Sequence, residues 1–218
     1  MWTAKPQVAR YAFKSFQSTI EKKKMNKIQY QQLAPQYFHQ VLELALAVHG
    51  ENYLDMPGLQ LIYQHSFDQG INASWVAVDG QQLVGFRLTI AAPHWQPDRW
   101  CSPEEWGIQQ QQLCYFKCNT VAQTYRGLGI GKRLLLLSME KAKLQGCLAG
   151  LAHIWLASPN NSAYQYFSKC GGKTVKHHPG KWRELSIQHG YLCPVCPGVC
   201  ECEAAEMILY FKPTTEAD

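Results

Sequence analysis

The chain has 218 residues, 46% of them hydrophobic and 17% charged, which is enough for one domain with a real core. Its formal charge of +5 is carried by residues 1–24, where six basic residues face Glu21 alone, while the other 194 residues hold 15 basic and 15 acidic groups. A neutral body gives no electrostatic footprint for nucleic acid. No run approaches the ~20 apolar residues of a membrane span, and nine cysteines without an apolar export leader point to reduced thiols in the cytosol.

In chain order, residues 1–24 read as a basic extension, either a loosely held helix or a stretch ahead of the natural start at Met25, or else an organellar presequence or a basic tether, and 25–218 as the domain proper. Residues 27–32 suit a strand. Residues 35–49 place Phe38, Val41, Leu42, Ala45 and Val48 at helical spacing, with Gly50 as the stop. A second helix is expected over 58–69. Strands come next at 74–78 and 83–90, joined by the hairpin signal Asp79-Gly80. Residues 112–121 form a further strand, 129–145 a long amphipathic helix, 151–157 a strand and 162–170 a short helix. Residues 173–177 and 206–212 close a sheet. The order β-α-α-β-β-β-α-β-α-β-β predicts a helix-flanked α/β (α+β) domain.

The junction between the strand at 112–121 and the following helix carries Tyr125-Arg126-Gly127-Leu128-Gly129-Ile130-Gly131-Lys132. Alternating glycines leave main-chain N–H groups uncovered, and a helix N-terminus adds about half a positive charge, so the spot suits a phosphate or pyrophosphate. It is not a Walker loop, because Arg126 stands where that pattern needs its first glycine and Arg133 where it needs a hydroxyl. Nor is it a dinucleotide fingerprint, because Lys132 stands in place of the third glycine.

Arg126, Gly129 and Gly131 complete Arg-x-x-Gly-x-Gly, preceded by Val121. This stretch resembles the acetyl-CoA loop of the GNAT superfamily of N-acetyltransferases, with Gln123 where proline is usual. A second block, 160–172, resembles the same family's Asn-x-x-Ala segment through Asn160, Ala163 and Gly171. The resemblance implies a GNAT fold, a mixed and mostly antiparallel central sheet flanked by helices. It also implies transfer of an acetyl group from acetyl-CoA directly to a primary amine, with no metal and no acyl-enzyme required. Asn119 and Val121 would pair with the pantetheine arm, Arg126, Gly127, Leu128, Gly129, Ile130, Gly131 and Lys132 would hold the pyrophosphate, and Asn160 would reach the pantetheine from the neighbouring strand end. The family's catalytic tyrosine is replaced here by Phe167. Tyr166, about 100° around the helix, is the candidate acid; the competing reading makes it a packing residue.

Two further segments stand out. Residues 91–109 hold Trp95, Trp100 and Trp106 with Asp98, Glu104 and Glu105, suited either to a cationic acceptor amine or to anchoring a long loop on the sheet. Cys193, Cys196, Cys200 and Cys202 lie within ten residues as Cys-x₂-Cys-x₃-Cys-x-Cys. They read either as a structural zinc site or as a thiol-rich turn. His177, His178 and His189 read as surface residues, and the other five cysteines as core. The expected acceptor is a small-molecule or peptide amine, and family members are often homodimers. The rival from another class is a non-catalytic acetyl-CoA sensor or zinc-stabilised interaction module.

Overall fold

The computed structural model describes residues 27–212; the basic extension lies outside the described residues. Seven strands form one sheet in the order β1-β4-β5-β6-β7-β9-β8: β1 (Gln29–Gln32), β4 (Trp75–Asp79), β5 (Gln82–Ile90), β6 (Leu113–Val121), β7 (Ala149–Trp155), β9 (Ala204–Tyr210) and β8 (Lys173–His178). Every pairing is antiparallel except β6 with β7.

One face of the sheet is covered by α1 (Phe38–His49) and α2 (Met56–His65), which bury Phe38, Val41, Ala45, Leu59 and Ile62 against Val76, Phe86 and Leu88. Helix α1 stops at Gly50, whose φ of 90° a side chain would resist. Helix α2 starts two residues earlier than expected because the Asp55 carboxylate caps it, accepting from the Gly58 amide at 2.8 Å. It also ends early. Gln69 and Gly70 adopt positive φ and turn the chain through a two-stranded ribbon, β2 (Phe67–Asp68) with β3 (Ile71–Asn72).

The other face carries α3 (Ile130–Leu144) and α4 (Ser162–Lys169). Leu134 and Ile130 pack on Ala77 and Val84, while Leu135, Ala142 and Phe167 pack on Phe116, Ala152, Met207 and Leu209. Gly150 on β7 lies under the Phe116 ring, where any Cβ would collide with it. A fifth helix, α5 (Arg183–His189), is not legible in the sequence: no side chain caps it and it buries no residue. The long loop after β5 folds onto the α1–α2 side. Trp95 and Trp106 are buried there, their indole N–H groups donating to the Leu113 carbonyl and to Glu206 at 2.7 Å each. The anchoring reading therefore holds for these two.

Candidate functional site

Strands β6 and β7 pair only over Leu113–Tyr115 and Ala149–Leu151. Beyond Tyr115 they separate, while β7 stays paired with β9 as far as Trp155. The gap opens a cavity of about 390 Å³ whose walls include Asn119, Val121, Arg126, Gly127, Gly129, Ile130, Gly131 and Lys132 from the glycine loop and its strand. The loop is built as the sequence implied. Gly127 and Gly129 have φ of 81° and 77°, open space surrounds the position of a Cβ on either, and Gly129 begins α3. The Tyr125 hydroxyl donates to Asp79 Oδ2 at 2.8 Å, tying the loop to β4, and Arg126 Nε donates to the Val121 carbonyl at 3.2 Å. Ile130, Gly131 and Lys132, in the first turn of α3 where amides have no partner within the helix, line the same cavity.

Not every expected residue is gathered there. Leu128 is exposed and Asn160 sits exposed in a left-handed turn, and neither lines the cavity; Ser158, Pro159, Ser162 and Ala163 form that side of the wall. Two buried polar atoms on the wall have no hydrogen-bond partner among the described residues, Asn119 Oδ1 and Arg87 Nε. Both suit a guest rich in amide and phosphate groups. Arg87 is 2% exposed, lies 4.1 Å over the Phe116 ring and reaches Tyr166 at 3.4 Å.

Phe167 is buried in the core, whereas Tyr166 faces the cavity and donates to the Gly131 carbonyl at 3.1 Å. The expected 100° offset thus turns the tyrosine toward the site. Burial pushes Tyr166 up to about 12 against the pull of the Arg87 guanidinium. The group is neutral at pH 7 and acts there as a hydrogen-bond donor.

A second cavity, about 280 Å³, adjoins the first and shares Tyr53, Lys117, His153 and Trp182 with it. Trp95, Asp98, Tyr115 and Lys181 are also part of its wall. Glu105 lines neither cavity. Tyr115 and His153, which no sequence motif singles out, stand on the two diverging strands with Tyr115 Oη 3.0 Å from His153 Nδ1. His153 Nε2 lies 2.5 Å from the Trp100 carbonyl. A carbonyl only accepts, so Nε2 carries the hydrogen and Nδ1 accepts from Tyr115. Burial, and then Lys181, lowers the His153 pKa to about 4, which keeps the ring neutral.

A bulge at Lys117 breaks the alternation of β6: Leu88 pairs with Cys118, but Thr89 pairs with Phe116. Strict alternation would put Cys114, Phe116 and Cys118 on one face. The extra residue turns Cys118 to the α1–α2 side, where its sulfur lies 3.4 Å from His49 Nε2 and 3.2 Å from Thr120 Oγ1.

The four clustered cysteines converge. Their sulfurs all lie within 4.8 Å of one another, with Cys193–Cys202 at 3.7 Å and Cys196–Cys202 at 3.5 Å. A zinc–sulfur bond of about 2.3 Å gives a tetrahedron edge of about 3.8 Å, so the set fits a tetrahedral thiophilic ion. His178 departs from its surface reading: it is buried, with Nε2 3.0 Å from Glu206 Oε2.

The pattern of the acetyltransferase (GNAT) family matches residues 38–172. No curated protein matches the chain by sequence. Its fold resembles yncA, a putative acetyltransferase from Salmonella typhimurium solved with acetyl-CoA (TM-score 0.60, 14% identity, 88% of this chain and 99% of that one). It also resembles Arabidopsis thaliana Naa50 bound to a bisubstrate analogue of CoA and a peptide (TM-score 0.55, 17% identity, 84% and 99%). A third likeness is the ribosomal-protein-S18-alanine N-acetyltransferase of Escherichia coli (TM-score 0.58, 10% identity, 88% and 99%). With the glycine loop, the divergent strands and the family pattern in agreement, the chain belongs to the GNAT family of acetyltransferases.

Proposed function

We propose that the protein transfers an acetyl group from acetyl-CoA directly to a primary amine of a small molecule or peptide in the cytosol. The observation that carries this reading is the adjacency of two cavities at the divergent strands. The glycine loop and the uncovered edge of β6 line one cavity, and the second cavity, toward Asp98, shares Tyr53, Lys117, His153 and Trp182 with it. The diphosphate rests on the amides from Arg126 to Lys132, and the pantetheine runs beside Val121 and Asn119. An amide of β6 polarises the thioester carbonyl as the amine attacks. Tyr166 hydrogen-bonds the leaving sulfur. With a pKa of about 12, it steadies a thiolate of ordinary pKa near about 8.5 rather than surrendering its proton to it. The acceptor enters past Tyr115 and His153, with the Asp98 carboxylate as counter-charge to an incoming ammonium.

In the same reading Cys193, Cys196, Cys200 and Cys202 hold a structural zinc ion, which takes no part in the transfer. Thiol release from acetyl-CoA, assayed against polyamines, amino acids and peptides with free N-termini, tests the activity. Turnover with one class supports the reading. Tight binding of acetyl-CoA without turnover on any amine favours the sensor instead. Sedimentation of the purified chain tests the homodimer.

A further inference from the structure

Acetyl transfer leaves one nucleophile on the cavity wall unused. Cys118 lines the coenzyme cavity with His49, Tyr53 and Thr120. The His49 ring bridges the thiol and the threonine hydroxyl, with Nε2 2.8 Å from Thr120 Oγ1. It is itself held flat against Tyr53, the ring centroids 4.4 Å apart. A thiol with an imidazole and a hydroxyl both within reach forms an arrangement that supports a thiolate. Arg87 from β5 and Lys117 from β6 interact electrostatically with Cys118 as well.

Its position along the strand matters as much. A coenzyme whose diphosphate sits on the loop, and whose arm passes Val121 and Asn119, brings its sulfur next to the level of Cys118. Resting on the proposed coenzyme site, we propose that Cys118 is a covalent modification site for disulfides of coenzyme A. The Cys118 thiolate attacks the coenzyme sulfur, and the disulfide bond of the reagent breaks. A new bond joins Cys118 to the CoA half, and the other half leaves as a thiolate that takes up the proton lost by Cys118. No external oxidant enters, because one disulfide is exchanged for another. The adduct fills the acetyl-CoA site with a tethered coenzyme and shuts the enzyme until a thiol releases it.

Charge balance at the sulfur supports the step. Burial alone would push the thiol up; His49, aided by hydrogen bonds from Thr120 and Tyr53, outweighs it and brings Cys118 down to about 7. A thiol whose pKa lies near the ambient pH is the fastest attacking group in such exchange.

The test compares the CoA–glutathione mixed disulfide with glutathione disulfide, two probes that share a leaving thiolate and differ in the coenzyme half. Intact mass and peptide mapping of the full chain should show one CoA on Cys118, formed on the order of tenfold faster or more than any glutathione adduct there. Acetyl-CoA should protect, and dithiothreitol should reverse the adduct. Cys118→Ala should take no adduct there while still binding acetyl-CoA by calorimetry, and His49→Gln should slow the exchange. Glutathione on Cys118 in place of CoA, equal rates with the two probes, or CoA confined to other cysteines would overturn the inference. If the unmodified protein binds no acetyl-CoA, the coenzyme site itself fails. Binding without an adduct removes only the inference.

Discussion

At the scale of single residues, the site depends on two side chains whose neighbours set their protonation. Tyr166 reaches the cavity because Phe167 takes the core position, and its hydroxyl is the one side-chain donor on α4 directed at the loop carbonyl of Gly131 among the described contacts. In the proposed reaction Tyr166→Phe removes one charge-assisted hydrogen bond from the leaving sulfur, together with the bond to the Gly131 carbonyl, and leaves in place the loop amides proposed to hold the diphosphate. The expected result is a fall in kcat of about ten- to a hundredfold, with the Kd for acetyl-CoA nearly unchanged by calorimetry. Cys118 gives a pH signature. His49 and Tyr53 from the α1 side, Tyr115 and Lys117 from β6, and Arg87 from β5 all bear on it. Its pKa of about 7 makes the thiolate dominant above neutrality and the inert thiol dominant below. Alkylation by iodoacetamide should therefore rise to half its maximum near pH 7, against about 8.5 for an ordinary cysteine. A midpoint at the ordinary value would show that the imidazole does not govern this sulfur.

At the scale of elements, much of the scaffold is legible in the sequence because its signals are local. The Asp79-Gly80 turn, the apolar periodicity of α1 and α3 and the glycine loop are all written in short windows. The features that escape depend on long-range geometry. The bulge at Lys117 carries no sequence mark, yet it moves Cys118 from the face of Phe116 to the face of His49. His153 and Tyr115 meet only because two strands far apart in sequence diverge side by side. Glu206 reads in the sequence as a strand residue alone. In the fold its carboxylate, fully buried, accepts from the Ser102 amide and the Trp106 indole and pairs with His178, so β9 anchors the loop that walls the second cavity. Burial raises the Glu206 pKa, but these hydrogen bonds outweigh it and leave it lowered. A lowered carboxylate adds stability above its unfolded pKa of about 4.3, and that stability is lost as acid takes the pH down through the folded value. Glu206→Ala strands three buried donors and should cost about 3 kcal/mol or more, read as a lower urea midpoint. An unchanged midpoint would show that the Trp loop holds without this strand.

At the scale of the whole molecule, a metal on the cysteine cluster would fix one wall of the site in place. The segment from α5 to β9 has no regular structure, yet Tyr191 within it and Trp182 just before α5 line the larger cavity. Its attachments to the α1–α2 connection are few. The Leu192 amide donates to the Glu51 carbonyl at 3.1 Å, and Asn52 donates to the Gly190 carbonyl at 2.9 Å. Beyond these, Tyr191 and the buried sulfurs of Cys193, Cys200 and Cys202 form its centre, with Trp155, Ala157, Trp182 and Leu185 packed around them. So small an apolar core holds a strap poorly by itself, whereas four thiolate bonds to one ion would hold it outright. Protein purified without added zinc should therefore carry close to one equivalent of metal. A strong chelator, or Cys196→Ser, should lower the melting temperature by several degrees, at roughly 2–4 °C per kcal/mol for a chain of this size. The same treatment should shift the emission of the tryptophans beside the cluster and weaken acetyl-CoA binding, because the wall carrying Tyr191 and Trp182 loosens. Metal at full stoichiometry whose removal leaves binding untouched would confine the cluster to stability. Metal well below one equivalent would return the four cysteines to a thiol-rich turn and leave the wall to the packing around Tyr191 and the two hydrogen bonds to Glu51 and Asn52.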